Sequence, residues 1–383
     1  MARLLIMGCL FLLSLLNIFR APLDILWYIS ILTTEFCWIF FCVVCFLLIF
    51  PFGNGKYHLF ANFIGSVSLI LFSLPVIQAY GVSIKLNKQL EKTFNNRIPI
   101  KEPFSLARII LGINADPINP QSIAYSEKDS LTLDYYPSQL NGSHPCVMVI
   151  HGGSWAGGNK EQLPELNSYL TKQGYNVASI NYRLAPEHIY PAPVEDVAKA
   201  ISYLKANSAK LHIDVNNFVL LGRSAGGQIA LDAAYSLNEP SIKGVISYYG
   251  PTDMVWGYAN PANPLVLDSK KIMEDYLGGT YAQVRDNYIK SSATETAKEN
   301  SVPTLLIQGK NDPLVAYEHC NRLDSILNRL NVKHFILRLP WATHGCDYTL
   351  NGPAGQLSTY TTMRFLKNVF SDNIELSCRT FEK

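Results

Sequence analysis

Beginning near residue 121, short apolar runs alternate with longer segments of helical character, and few folds accommodate that order. The runs lie at 146–150, 175–182, 218–221, 244–250, 303–309 and 334–340; the helical segments lie at 163–173, 193–209, 225–235, 317–330 and 358–370. Apolar runs this short, without a helical period, read as strands buried on both faces. Leu131, Leu133 and Tyr135 alternate with polar residues, as in an edge or half-buried strand. The segment at 193–209 opens on Pro193 with Glu195 and Asp196 in its first turn, a helix-start pattern. Strands alternating with helices predict an α/β architecture, with a mainly parallel sheet covered by helices on both faces. Residues 254–300 interrupt the alternation as a polar and aromatic insertion with some helical character.

In open sheets of this kind, functional groups collect beyond the carboxyl ends of strands. After 146–150 come His151, Gly152, Gly153, Ser154 and Trp155, and after 218–221 comes Ser224 inside Gly222-Arg223-Ser224-Ala225-Gly226. After 303–309 comes Asp312, and after 334–340 comes His344. The order is glycine-rich turn, serine, aspartate, histidine. A serine hydroxyl is a weak nucleophile and needs a base to take its proton. Histidine suits that task near neutral pH, and a carboxylate fixes its tautomer and stabilises its cation. Backbone N–H groups must meet the oxyanion, and glycine lets a backbone approach closely. Alone, G-x-S-x-G is a cheap motif; its weight comes from the other strand ends.

Together, "HGGSWAGG" at 151–158, "NYRLAPEHIYPAPVED" at 181–196, "GRSAGG" at 222–227, "GKNDPLV" at 309–315 and "THG" at 343–345 resemble the α/β-hydrolase fold. Within it, they resemble the hormone-sensitive-lipase-like esterases. The resemblance covers roughly residues 120–372 and leaves the first part of the chain out. It implies Ser224 as nucleophile, His344 as general base and acid, and Asp312 as its orienting carboxylate. It also implies an oxyanion hole at Gly152, Gly153, Ser154 and Ala225, with Gly152 shaping the turn and the other three donating N–H groups. Where the family often has a third glycine, this chain has Ser154, which keeps the N–H.

Other residues compete for these roles. Asp253 and Asp347 are the rivals of Asp312, and Asp253 reads better as a cap or pocket residue. His334 falls in a strand pattern and His319 in a helical one. His151 is expected to make a structural hydrogen bond. Arg183 and Glu187 are expected to pair and brace the loops, and Asp196 to anchor a helix start. Trp155 and Trp341 flank the expected rim, and each reads equally as lining or packing.

The first 80 residues are of another kind. Segments 4–19 and 60–80 carry no charge, and 25–50 carries only Glu35. The last two reach the roughly 20 residues that a hydrocarbon core requires. Segment 4–19 follows Arg3 as in a signal peptide, but no small-x-small cleavage site comes after it. An uncleaved membrane region of two or three helices is therefore expected. Glu35 is costly at mid-membrane, so it belongs near one face or buried against a neighbour. Lys85, Lys88, Lys92 and Arg97 follow the last segment, and the positive-inside rule puts the large domain on the cytoplasmic side. With three spans Arg20 shares that side and Arg3 and Lys56 oppose it. The sequon Asn141-Gly142-Ser143 points instead to a secretory lumen, and the side stays open.

The expected organisation is a membrane region at 1–80, a connector at 81–120 that forms a cap together with 254–300, and a catalytic domain at 121–383. The eight cysteines form no disulfide framework, and Cys42 and Cys45 read as membrane filler rather than a redox pair. A net charge of +2 gives no pull toward nucleic acid. No metal-ligand spacing appears, and no cofactor is expected. The expected function is a membrane-anchored serine hydrolase acting on a small-molecule or lipid-like carboxylic ester. The alternatives are an amide or formamide hydrolase, a prenylcysteine methylesterase-like enzyme and, more distantly, an inactive binding module. Acyl length and oligomeric state are not legible.

Overall fold

The structure, a computed structural model, describes residues 1–50, 57–94, 102–112 and 116–370. Lys56, Arg97 and Cys378 lie outside the described residues. Four helices open the chain: α1 (Ala2–Ser14), α2 (Asp24–Glu35), α3 (Cys37–Ile49) and α4 (His58–Phe94). The short α5 (Leu106–Leu111), β1 (Gln121–Ser126), β2 (Leu131–Tyr136) and β3 (His144–Ile150) follow. Next come α6 (Pro164–Lys172), β4 (Asn176–Ile180), α7 (Ala192–Ala206), α8 (Ser208–Leu211), β5 (Ile213–Arg223), α9 (Ala225–Ser236) and β6 (Ile242–Tyr248). The insertion holds α10 (Met254–Ala259), α11 (Ser269–Leu277), α12 (Arg285–Lys290) and α13 (Ala293–Thr296). The chain then runs through β7 (Thr304–Gly309), α14 (Glu318–Arg329), β8 (His334–Leu339) and α15 (Pro353–Val369).

The strands form one eight-stranded sheet in the order β1-β2-β4-β3-β5-β6-β7-β8. β1, β2 and β4 pair antiparallel, and every pair from β4 to β8 is parallel. The register aligns the carboxyl ends: Ile150 lies beside Gly222, and Gly309 beside Leu339. Period-2 alternation sends Met148 and Leu220 to one face, where they meet Val197, Ile201 and Leu204 of α7 and Ile229 and Leu231 of α9. Val147, Val149, Val219 and Leu221 point to the other, against Leu166 of α6, Phe365 and Leu366 of α15, and Leu86 and Leu90 of α4. Full burial of each such side chain contributes about 1.5–3 kcal/mol.

That second layer corrects two expectations. The boundary drawn at residue 80 falls inside α4, whose later half covers the sheet. Residues 81–94 and α5 contribute Leu86, Leu90, Phe94 and Ile109 to this core, so these described parts of the connector cover the sheet and not the site. Its apolar residues gain more by covering the sheet than by standing over a pocket.

α1, α3 and the first half of α4 pack through Met7, Leu10, Val44, Leu47, Ala61 and Phe72. By length and composition α4 is long enough to cross a membrane, and α2 with α3 would be a second candidate only as a pair bent by 79°. Segment 25–50 is therefore not one straight span. α2 lies on the α/β domain because its polar side finds partners there. Ser30 Oγ donates to Thr343 Oγ1 at 3.0 Å, and Glu35 Oε2 accepts from the N–H groups of Ala354 and Gly355 at 3.0 and 3.3 Å. Those N–H groups open α15 and have no partner within the helix. Gly352 makes room, since a Cβ there would lie 2.2 Å from Glu35 Oε2. Glu35 is thus buried against a neighbour, one of the two placements expected of it.

Pro75 sits inside α4 and offers no N–H to the carbonyl of Leu71; Asn17 Nδ2 donates to that oxygen instead, at 3.1 Å. Arg3 is buried and bonds the Leu47 carbonyl and Asn62 Oδ1, so its charge is spent inside the bundle. Cys42 and Cys45 are free thiols on α3.

Candidate active site

Ser224 stands between β5 and α9 with φ 53° and ψ −121°. A non-glycine residue held there carries about 1–3 kcal/mol of strain, which persists only where neighbours enforce it. The neighbours are explicit: a Cβ on Gly222 would lie 1.9 Å from the Gly226 carbonyl oxygen, and one on Gly226 would lie 2.2 Å from that of Ile150. Strand and helix cross too closely for any side chain at either glycine, and the serine is pushed outward.

The His344 ring lies between Ser224 and Asp312. Its Nε2 is 2.9 Å from Ser224 Oγ, and its Nδ1 is 2.8 Å from Asp312 Oδ2. Asp312 is buried, accepts the N–H groups of Leu314 and Val315 on Oδ1 at 2.8 and 2.9 Å, and accepts Gln308 Nε2 on Oδ2 at 3.0 Å. So held, the carboxylate accepts a hydrogen bond from Nδ1–H of His344 and leaves Nε2 as the acceptor facing the serine. The rival aspartates are engaged elsewhere. Asp253 caps α10 through Trp256 N and pairs with Arg322. Asp347 is buried, paired with Arg223 and bonded by Tyr249.

The glycine-rich turn lies against the serine: a Cβ on Gly152 would meet Ser224 Cβ at 3.2 Å. The Gly152 N–H donates to Gln162 Oε1 at 2.7 Å. Gly152, expected to shape the turn while Gly153, Ser154 and Ala225 donate, thus has its N–H engaged by a glutamine ten residues on. Gly153 and Ser154 follow at φ 125° and 56°, and Ser154 and Ala225 line the cavity beside Ser224. His151 stacks on Tyr182 at 4.3 Å, and its Nδ1–H donates to the Gly152 carbonyl at 2.7 Å. Burial lowers its pKa to about 4 against that bond, so the ring stays neutral and structural.

A cavity of about 390 Å³ opens over Ser224. Trp155, Ile272, Met273, Leu314 and Val315 give it apolar walls, and Arg20, Ala21 and Pro22 close another side. Gly257, Asn260 and Met273 of the 254–300 insertion line the cavity together with this N-terminal stretch, and none of the described residues of 81–120 does. Trp155 lines the cavity, stacked on Tyr276 at 4.6 Å, whereas Trp341 is fully buried as packing. Arg183 pairs with Asp196 and Glu195 rather than Glu187, at 2.8 and 2.9 Å. Asp196 lies one helical turn into α7 and reaches the guanidinium; Glu187 does not.

Several residues escaped sequence reasoning. His319 lines the cavity, its Nδ1 accepting the N–H groups of Thr252 and Asp253 at 3.3 Å each, and burial lowers its pKa to about 4. Trp27 Nε1 donates to the His344 carbonyl at 3.0 Å, and the Tyr249 ring packs 4.5 Å from the His344 ring. Arginine inside the serine motif and Asp347 beside His344 were a legible signal for the Arg223 pair; nothing in the sequence tied Arg20 or Trp27 to the site. Among the described residues no group of three His, Cys, Asp or Glu side chains is disposed to hold a metal ion.

A family model described as BD-FAE matches residues 133–327. The probable carboxylic ester hydrolase LipM of Mycobacterium tuberculosis is 26% identical over 246 residues, covering 61% of this chain and 56% of that protein. Esterase LipC of the same organism is 27% identical over 271 residues, 66% of each chain. The chain thus spans between half and two thirds of these relatives. Among solved structures, a Pyrobaculum calidifontis esterase superposes with a TM-score of 0.57 at 21% identity, over 74% of this chain and 92% of that one. That likeness, with the parallel sheet, makes the fold an α/β-hydrolase fold.

Proposed function

Because the chain belongs to the BD-FAE family, we propose that it is a membrane-anchored serine hydrolase that cleaves carboxylic esters through an acyl-enzyme. The relatives named as ester hydrolases support the substrate class. The observation that carries the mechanism is the position of His344, within hydrogen-bonding reach of both Ser224 and Asp312.

Ser224 Oγ attacks the ester carbonyl carbon while its proton passes to His344 Nε2. The oxyanion meets the N–H groups of Gly153, Ser154 and Ala225. Asp312 stabilises the imidazolium. The C–O bond then breaks, and the alcohol departs with the proton from His344. Water repeats the attack on the acyl-enzyme, the acid leaves, and Ser224 recovers its proton. We take residues 121–383 as the catalytic domain and the N-terminal helices as a multi-pass anchor. Lys85, Lys88 and Lys92 favour the cytoplasmic side for that domain.

The test is Ser224→Ala in the full chain. Ester turnover should fall by a factor on the order of 10⁶, and fluorophosphonate labelling should vanish with thermal unfolding unchanged. Undiminished labelling of the variant would refute the assignment. Parallel assay of an ester and its matching amide separates ester from amide hydrolysis.

A further inference from the structure

One wall of the cavity comes from far away in the chain. Arg20, Ala21 and Pro22, between α1 and α2, line it, and three bonds fasten this stretch to the domain's rim. Arg20 Nε donates to the Lys310 carbonyl (3.3 Å), Asn263 Nδ2 to that of Pro22 (3.1 Å) and Asp24 N to that of Leu265 (3.2 Å). Three large apolar side chains on this seam are turned outward, Phe19, Leu23 and Leu265 at 61%, 41% and 66% exposed, beside the exposed polar residues Arg20, Asp24, Asn263 and Lys310.

α2 extends the same surface. Ile25, Tyr28 and Leu32 recur at helical spacing and are exposed, while Ser30, Ile31 and Thr34 are buried. At Phe36 the chain turns by 79° into α3, which packs with α1 and α4 in the apolar bundle. If the bundle stands along a bilayer normal, a helix nearly perpendicular to it lies in the plane of the interface. In water, apolar patches of this kind invite association. Beside a membrane bundle, the acyl region of a leaflet covers them, as it covers the apolar face of an interfacial helix.

Resting on the reading of Ser224 as nucleophile, we propose that the cavity is filled from the leaflet. The substrate is an ester whose long hydrocarbon chain resides in the bilayer, and it reaches Ser224 across the apolar seam formed by Phe19, Leu23 and Leu265. A long chain drawn through water is disfavoured in proportion to its methylenes; a cavity whose rim continues the hydrocarbon removes that step. Trp155, Ile272, Met273, Leu314 and Val315 then receive the apolar part.

The experiment uses the full chain in phosphatidylcholine vesicles. 4-Methylumbelliferyl oleate is placed either in the enzyme's own vesicles or in separate ones, and the water-soluble butyrate is added to both. Oleate should turn over at least about tenfold faster from the shared bilayer, and butyrate equally in the two. Equal oleate rates overturn the proposal, as does butyrate turnover with no oleate turnover in either mixture. Loss of butyrate turnover together with absent fluorophosphonate labelling overturns the Ser224 reading instead. In the paired variant Phe19→Glu/Leu265→Glu, shared-bilayer oleate turnover should fall about tenfold with butyrate turnover kept within about twofold. An unchanged oleate rate overturns the route. Should that variant fail to fold, the shared-versus-separate comparison on the parent protein still decides.

Discussion

The two walls of the cavity are held by different means. On one side Ser224, Asp312 and His344 follow the ends of β5, β7 and β8, whose register toward the site is fixed by parallel ladders. On the other, Arg20, Ala21 and Pro22 belong to no helix or strand and are held by isolated hydrogen bonds, to Lys310 and Asn263 directly and to Leu265 through Asp24 at the start of α2. A wall set by a sheet moves only with the sheet. A wall set by single bonds shifts at modest cost. Changes on the sheet side should therefore act on every ester alike, and changes on the N-terminal side should act by substrate.

The largest effect expected on the sheet side after loss of the serine is that of Asp312→Asn. It keeps the shape but removes the carboxylate that orders His344, and kcat should drop about 10⁴-fold on short and long esters alike. A drop confined to one chain length would erase the distinction between the walls. Acid sensitivity comes next. The neutral rings of His151 and His319, with pKa values lowered to about 4, decline protons that the unfolded chain accepts below its ordinary 6.5. These two rings therefore contribute a share of stability that is full above about pH 6.5, falls as pH drops toward 4 and levels off below, by several kcal/mol in total. Thermal unfolding across that range measures it, and His319→Asn should flatten roughly half of the slope.

Glu35→Leu tests how firmly the N-terminal side is joined to the domain. It leaves the Ala354 and Gly355 N–H groups buried without an acceptor, and stability should fall by about 1–3 kcal/mol with butyrate turnover retained; denaturant unfolding reads the loss. The smallest change expected is that of Asn263→Ala, which frees the Pro22 carbonyl. About 1 kcal/mol should appear as a severalfold rise in KM for long-chain esters, with kcat near that of the parent. A kcat loss without a KM change would place Asn263 with the sheet-side wall.

The sheet side was legible because each requirement there is local. Buried strands advertise themselves as short apolar runs, and Gly222, Ser224 and Gly226 state their crossing constraint in five residues. Asp312 and His344 stand out in the sequence because position after a strand is itself information. The N-terminal side was not legible, because hydropathy counts side chains one at a time. Segment 25–50 is apolar enough to read as a span, and only the match of Ser30 to Thr343 and of Glu35 to the start of α15 makes its first half a helix on the domain. Gln162 on the Gly152 N–H, and Asp196 rather than Glu187 on Arg183, are likewise choices among several polar residues within reach, settled by loop geometry.

The carboxyl group of Glu35 completes the first turn of the chain's last described helix from more than three hundred residues away. A tether can be exchanged for any other of equal length and greasiness; this one cannot. On the proposed membrane anchoring, replacing the N-terminal helices with a foreign anchor would keep the location, yet strip a cap from one helix and a side from the cavity. Any lineage that swapped the anchor would have to rebuild both.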